Sequence, residues 1–181
     1  RPAQLPLIGR GDDREVIVHL LEEGIRGFGG IVMLEGEAGI GKTRLMTEIG
    51  RDAEWRGMQL LWGRNLEADV SSPYTALIEA LSIGLTSLRI NQLSQLIDEI
   101  WFRVLLPLIP QLRDELPQLT PAPSLAPAQE HDRLGQAFAR VFAVWGQITP
   151  LLVVVDNLHW ASENSIDLLS ALANPLQTTR V

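Results

Sequence analysis

The chain has 181 residues, enough for one domain with a sizeable core. Its net charge of −7 and lack of any basic stretch argue against direct nucleic-acid contact by this segment. It has no cysteine, which excludes disulfides, thiolate metal sites and cysteine nucleophiles. No apolar run approaches the ~20 residues of a membrane span, so no membrane association is expected. The start, Arg1-Pro2-Ala3-Gln4, is neither an initiator Met nor a signal peptide, and the expectation is a cytoplasmic piece, residues 1–181, of a longer protein.

In chain order, residues 1–10 read as extended. Asp12 or Asp13 is expected to cap a helix with Val16, Ile17, Leu20, Leu21 and Ile25 on one face, broken by Gly27, Gly29 and Gly30. Ile31-Val32-Met33-Leu34 is a short apolar run that predicts a buried strand. A glycine-rich loop follows, then a helix with Leu45, Met46, Ile49 and Ala53 at helical spacing. Met58–Trp62 predicts a second strand. Ser72-Pro73 has the chemistry of a helix start, leading into Tyr74, Leu77, Ile78, Leu81 and Leu85.

Leu93, Leu96, Ile97, Ile100, Trp101 and Val104 predict one further helix that stops before Pro107. Residues 107–128 hold six of the eleven prolines and read as a loop or loose insertion rather than a packed element. Leu134, Ala137, Phe138, Val141, Phe142 and Trp145 mark an amphipathic helix closed by Pro150. Leu151–Val155 is apolar throughout, as a parallel strand covered on both faces is, and it ends in Asp156. Ile166, Leu168, Leu169 and Leu172 lie on a last helix, expected to end at Asn174-Pro175. Strands alternating with helices predict an α/β fold, a three-layer P-loop NTPase sandwich with a central parallel sheet. Ligands of such sheets bind at the carboxyl ends of strands. Gly36 and Asp156 both fall at such ends and are expected to share one site.

The chemistry begins at Gly36-Glu37-Ala38-Gly39-Ile40-Gly41-Lys42-Thr43, a full match to the G-x-x-x-x-G-K-[ST] pattern, in the order strand, loop, helix. Glycines let the backbone N–H groups turn inward around phosphates, and the next helix adds its positive end. Lys42 is the only lysine of the chain. A compact ammonium suits the gap between two phosphates in a way that a planar guanidinium does not. The Thr43 hydroxyl is expected to ligate Mg²⁺, with Asp156 holding the ion through its water shell. With no second lysine there is no N-K-x-D element for guanine, so ATP is the expected nucleotide.

Asn157 follows the magnesium Asp where a second carboxylate is often found to polarise the attacking water. An amide hydrogen-bonds a water but cannot take its proton. Slow turnover is therefore expected, towards the roughly 10⁻⁴ to 10⁻³ per second of an unassisted GTPase. The plain alternative is that Asn157 is a turn residue; Glu163 is a substitute base only if the chain folds back. His159 reads as a loop anchor or a γ-phosphate sensor, and Trp160 as core. No zinc-type spacing exists among His19, His131 and His159, and neither Arg133 nor Arg180 stands out as an arginine finger.

Taken together, Ile8-Gly9-Arg10, Gly36–Thr43 with Arg44-Leu45, and Val154-Val155-Asp156-Asn157-Leu158-His159-Trp160-Ala161 resemble the AAA+-related STAND ATPases. The chain is similar to the ATPase module of large bacterial LuxR-type transcriptional regulators and of some multidomain adenylate cyclases and kinases. The resemblance implies a domain that binds ATP with Mg²⁺ and uses the bound state as a signalling switch. It implies partners within the same polypeptide and a homo-oligomer on ATP binding. It also places Gly9 and Arg10 near the adenine and a sensor strand about where Val181 falls. Three positions depart from the family pattern: Asn157 in place of Asp, Ser162 in place of an acidic residue, and Gly11 after Gly-Arg. The first weakens the case for hydrolysis and leaves nucleotide binding untouched. A binding module without turnover is the alternative; a small-molecule kinase lacks the expected arginine-rich lid.

Overall fold

The computed structural model describes residues 11–68 and 72–181. Gly9, Arg10 and the extended reading of residues 1–10 lie outside them. The elements are α1 (Gly11–Arg26), α2 (Lys42–Trp55), β1 (Gln59–Arg64), α3 (Thr75–Gly84), α4 (Ser87–Ser94), α5 (Glu99–Leu105), α6 (Pro110–Glu115), α7 (Pro127–Ile148), β2 (Leu151–Asp156) and α8 (Glu163–Leu176). This is an α/β fold with a small parallel sheet. β1 and β2 pair in parallel, from Gln59 opposite Leu151 to Arg64 opposite Asp156. Parallel neighbours need a crossover, and here α3 to α7 supply it. No helix among the described residues is long and apolar enough to cross a membrane.

The main core lies on one side of the sheet. Trp145, Phe138 and Phe142 of α7 are fully buried against α3, α5 and α8, together with Leu61, Leu81, Phe102 and Leu168. The Trp145 indole N–H donates to Gln59 Oε1 at 2.9 Å, which satisfies its one polar atom. A smaller cluster joins α1 to α2 through Ile17, Leu21, Leu45, Ile49, Ala53 and Met58, with Leu152 of β2 packed against it. The expected stripe on α1 is thus half correct: Ile17 and Leu21 point inward, while Val16 and Leu20 are exposed. Asp12 and Asp13 stand inside the first turn of α1 rather than capping it, where their charge suits the positive helix end.

Several expectations are corrected. Ile31–Leu34 forms no strand, and Ile31, Val32 and Met33 are exposed. A strand is defined by its partner, and this run has no ladder. Arg180 and Val181 bond to its start and to the start of β2, through Leu151 N–H to Arg180 O (2.8 Å) and Gly30 N–H to Val181 O (3.2 Å). Beyond Gly30, no backbone bond joins the run to β2 among the described residues. The first strand spans Gln59–Arg64 rather than Met58–Trp62. Helix α3 begins at Thr75, not at Pro73, because Tyr74 adopts a left-handed conformation with φ 67°.

The helix predicted across Leu93–Val104 is two helices, α4 and α5, separated at residues 95–98. The break turns Leu96 and Ile100 outward and Ile97 inward. The first part of the proline-rich stretch is packed, burying Ile109, Leu112, Leu116 and Leu119, whereas residues 120–126 form the largely exposed loop expected. Pro110 starts α6, where its missing N–H costs nothing, and Ile109 and Leu112 are fully buried. Pro175 lies inside the last turn of α8, which runs one residue beyond it.

Tyr74 is the chain's only tyrosine. Its N–H donates to the buried Ser165 Oγ at 2.7 Å, and its hydroxyl meets His131 Nδ1 at 2.9 Å. Burial, and then the nearby Asp167 charge, push its pKa up. A raised value in the folded state means that the neutral phenol stabilises the fold. That contribution is complete below the unfolded value near 10 and is lost as pH rises through the folded one. An ultraviolet titration is therefore expected to show one phenolate transition above pH 10 that moves down on denaturation. A midpoint equal in both states would contradict this packing.

Candidate nucleotide site

The glycine-rich loop joins the Ile31–Leu34 run to α2. Gly39 (φ 79°) and Gly41 (φ 95°) hold left-handed conformations that an L side chain rarely adopts, which is why the loop needs glycine there. Gly41 immediately precedes α2, and no side chain caps that end. The first-turn amides of α2 are thus left for an anion. Lys42 folds back over the loop, its Nζ donating to the carbonyls of Gly36 (2.7 Å) and Glu37 (2.9 Å). Glu37, Ala38, Ile40 and Arg44 are exposed around it. Arg44 lies 3.7 Å from Glu48 on the same face of α2, a solvated pair.

The sheet brings in the second half of the site. Thr43 Oγ1 lies 3.3 and 3.4 Å from the two carboxylate oxygens of Asp156, across 113 residues of sequence. Asp156 is 5% exposed and ends β2. A hydroxyl and a carboxylate are hard oxygen donors, the set that suits Mg²⁺ with several retained waters. Among the described residues no cluster of three or more His, Cys, Asp or Glu exists.

Asp156 is held by residues that the sequence reading passed over. The side-chain amide and the N–H of Asn65 both donate to Asp156 O at 3.1 Å. Asn65, 2% exposed, immediately follows β1. Asn157 returns the contact, its side-chain amide donating to Asn65 O at 3.2 Å and its N–H to Asp156 Oδ1 at 2.8 Å. Asn157 also sits in the left-handed region at φ 57°, which asparagine tolerates better than most residues. Its amide is thus engaged with backbone. Arg64, at the last position of β1, lies 3.7 Å from Asp156 Oδ2. Parallel register was the missing signal: once Leu151–Asp156 pairs with Gln59–Arg64, residues 64 and 65 arrive beside Asp156.

The remaining expected residues sit apart from these contacts. His159 is exposed and packs against Trp160, with ring centroids 4.9 Å apart, in a 3₁₀ turn after Asn157. Trp160 is partly buried rather than core. Glu163 begins α8 after its Ser162 cap. Arg133 pairs with Glu130, and Arg180 donates to Ile25 O and Gln147 O.

Comparison with known proteins adds the family. The chain is 26% identical over 180 residues to an uncharacterized protein of Rhizobium meliloti (strain 1021), an alignment covering 93% of this chain and 17% of that protein. The chain thus spans about a sixth of the length of that curated relative. No solved structure matches it. The family model for the AAA ATPase domain matches residues 6–181, from before α1 to the last residue and across both halves of the site. With the glycine-rich loop, Thr43 and Asp156 all inside that match, the chain belongs to the AAA ATPase domain family.

Proposed function

We propose that this domain is an ATP-binding, slowly hydrolysing switch of a larger bacterial signalling or transcription-regulatory protein. In this reading the domain is a three-layer P-loop sandwich with a central parallel sheet. The observation that carries it is the meeting of Thr43 and Asp156 beside the Lys42 loop. Loop amides and Lys42 would hold the β- and γ-phosphates, with Thr43 and Asp156 holding the magnesium ion. That ion, when bound, offsets phosphate charge during transfer to water. Gly9 and Arg10 are proposed near the adenine. ATP would then favour one arrangement of neighbouring domains or one oligomer over another, by binding the two states with different affinity. The acidic charge supports a segment that contacts other domains rather than nucleic acid or membrane.

A second reading, nucleotide binding without turnover, draws support from Asn157, whose amide is bonded to Asn65 O and offers no base. Single-turnover hydrolysis separates the two. The switch reading expects a measurable wild-type rate of roughly 10⁻⁴ to 10⁻³ per second. Asn157→Asp keeps the turn but loses the bond to Asn65 O and brings in a carboxylate. The rate should then rise about tenfold or more, towards the usual contribution of a general base. No detectable wild-type turnover favours the sensor reading, and an unchanged rate in Asn157→Asp removes the argument from the missing base.

A further inference from the structure

Asp156 faces a cation as well as a hydroxyl. Arg64 Nε lies 3.7 Å from Asp156 Oδ2, while Thr43 Oγ1 is 3.3 Å from the same oxygen. The two partners are unequal in their surroundings. The Asp156 side chain is 6% exposed and the Arg64 side chain 50%. The Arg64 backbone is fixed, since its N–H donates to Glu79 Oε2 at 2.7 Å and it ends the β1 ladder. Its head is not fixed in the same way: the contact to Asp156 is long, and the Arg64 end of the pair is open to solvent. Beside it opens a cavity of about 370 Å³, lined by Thr43, Thr47, Trp62 and Arg64 among others. The guanidinium therefore has both a weak hold and space to move along the Thr43 side of the site.

We propose that Arg64 is a specificity residue for the terminal phosphate, balancing Asp156 in the empty site and passing its charge to the γ-phosphate when a magnesium triphosphate binds. The inference rests on the nucleotide reading above. Thr43 and Asp156 would hold a divalent cation, which would then neutralise that carboxylate. Two cations on one carboxylate repel, so the guanidinium moves to the next available anion. A triphosphate supplies a γ-phosphate beyond the β-phosphate held by the loop, whereas a diphosphate ends at that loop-held β-phosphate. The planar fork of arginine suits phosphate oxygens, which it can meet with two parallel bonds. Arg64 thus separates ATP from ADP without help from a second subunit.

The test is calorimetric titration of Mg-ATP and Mg-ADP into wild type, Arg64→Gln and Arg64→Lys, with thermal unfolding to check the fold. Loss of a charged contact to the terminal phosphate should weaken Mg-ATP about tenfold in Arg64→Gln. Mg-ADP should change by less than about twofold, as for an exposed charge with no partner. Arg64→Lys should fall between wild type and Arg64→Gln in its ATP-to-ADP ratio. Mn²⁺ alone should bind nucleotide-free Arg64→Gln about two- to threefold more tightly than wild type, because the competing cation is gone. An equal loss for both nucleotides, or an unchanged ratio in both variants, overturns the inference while leaving nucleotide binding intact. Wild type that binds neither nucleotide overturns the nucleotide reading, and this inference with it.

Discussion

Lys42→Ala is expected to weaken Mg-ATP binding by about a hundredfold or more, because it removes a charged donor shared by two phosphates. Each such bond contributes roughly 1.5–3 kcal/mol, and two together exceed the ~2.7 kcal/mol of a hundredfold change. No other residue can take over, since the chain has no second lysine. The fold should hardly notice. Among the described residues Lys42 Nζ bonds only to the carbonyls of Gly36 and Glu37, in an exposed loop. Equilibrium binding beside a thermal melt checks both halves. Retained affinity in a folded variant would mean that nucleotide binds elsewhere or that the loop amides suffice.

Gly63→Ala should be the most damaging single methyl in the sheet. A Cβ at Gly63 would overlap the backbone carbonyl of Ala76, and a backbone cannot swing aside as a side chain does. Either α3 lifts from β1 or the strand distorts, and α3 carries Leu77, Ala80 and Leu81 into the core. The expected cost is about 3 kcal/mol or more, a large share of the ~5–15 kcal/mol of a typical domain. Thermal midpoint should fall by roughly 10 °C. Gly24→Ala is the control: among the described residues a Cβ there meets nothing within 4 Å, and alanine favours helix, so α1 should be unchanged or slightly more stable. Urea unfolding of the two variants compares them directly. Equal stability would show that α3 does not lie so close to the sheet.

The two predictions draw on different kinds of information. Lys42, Thr43 and Asp156 are visible in the sequence because the proposed phosphate and magnesium chemistry restricts residue type and spacing locally. Gly63 is invisible there, because its reason is a helix that arrives from elsewhere in the chain. The same distinction explains the corrected elements. Leu151–Val155 reads as a strand and is one, because β1 supplies its ladder. Ile31–Leu34 reads equally well as a strand and is not one, because an apolar run carries no information about whether a partner lies beside it. The α4–α5 break escaped periodicity for a related reason: Leu96 and Ile100 keep a helical spacing that the structure interrupts between them.

Near the site, Arg64 and Asn65 were hidden by the same limitation. Nothing in Gly63-Arg64-Asn65 signals chemistry until parallel pairing sets those residues beside Asp156. Asn157 shows the converse. Its type suggested a role in catalysis, whereas its backbone at φ 57° and its bond to Asn65 O give a structural reason for asparagine at that position.

The central claim is that the Lys42 loop, Thr43 and Asp156 form one magnesium-dependent nucleotide site. Calorimetric titration of ATP into the wild-type protein, with magnesium and again with the metal chelated, tests it most directly. The account predicts one saturable site with low micromolar affinity in magnesium, substantially weakened by chelation. Folded protein that takes up no ATP in magnesium, or binds it equally well without the metal, would contradict it.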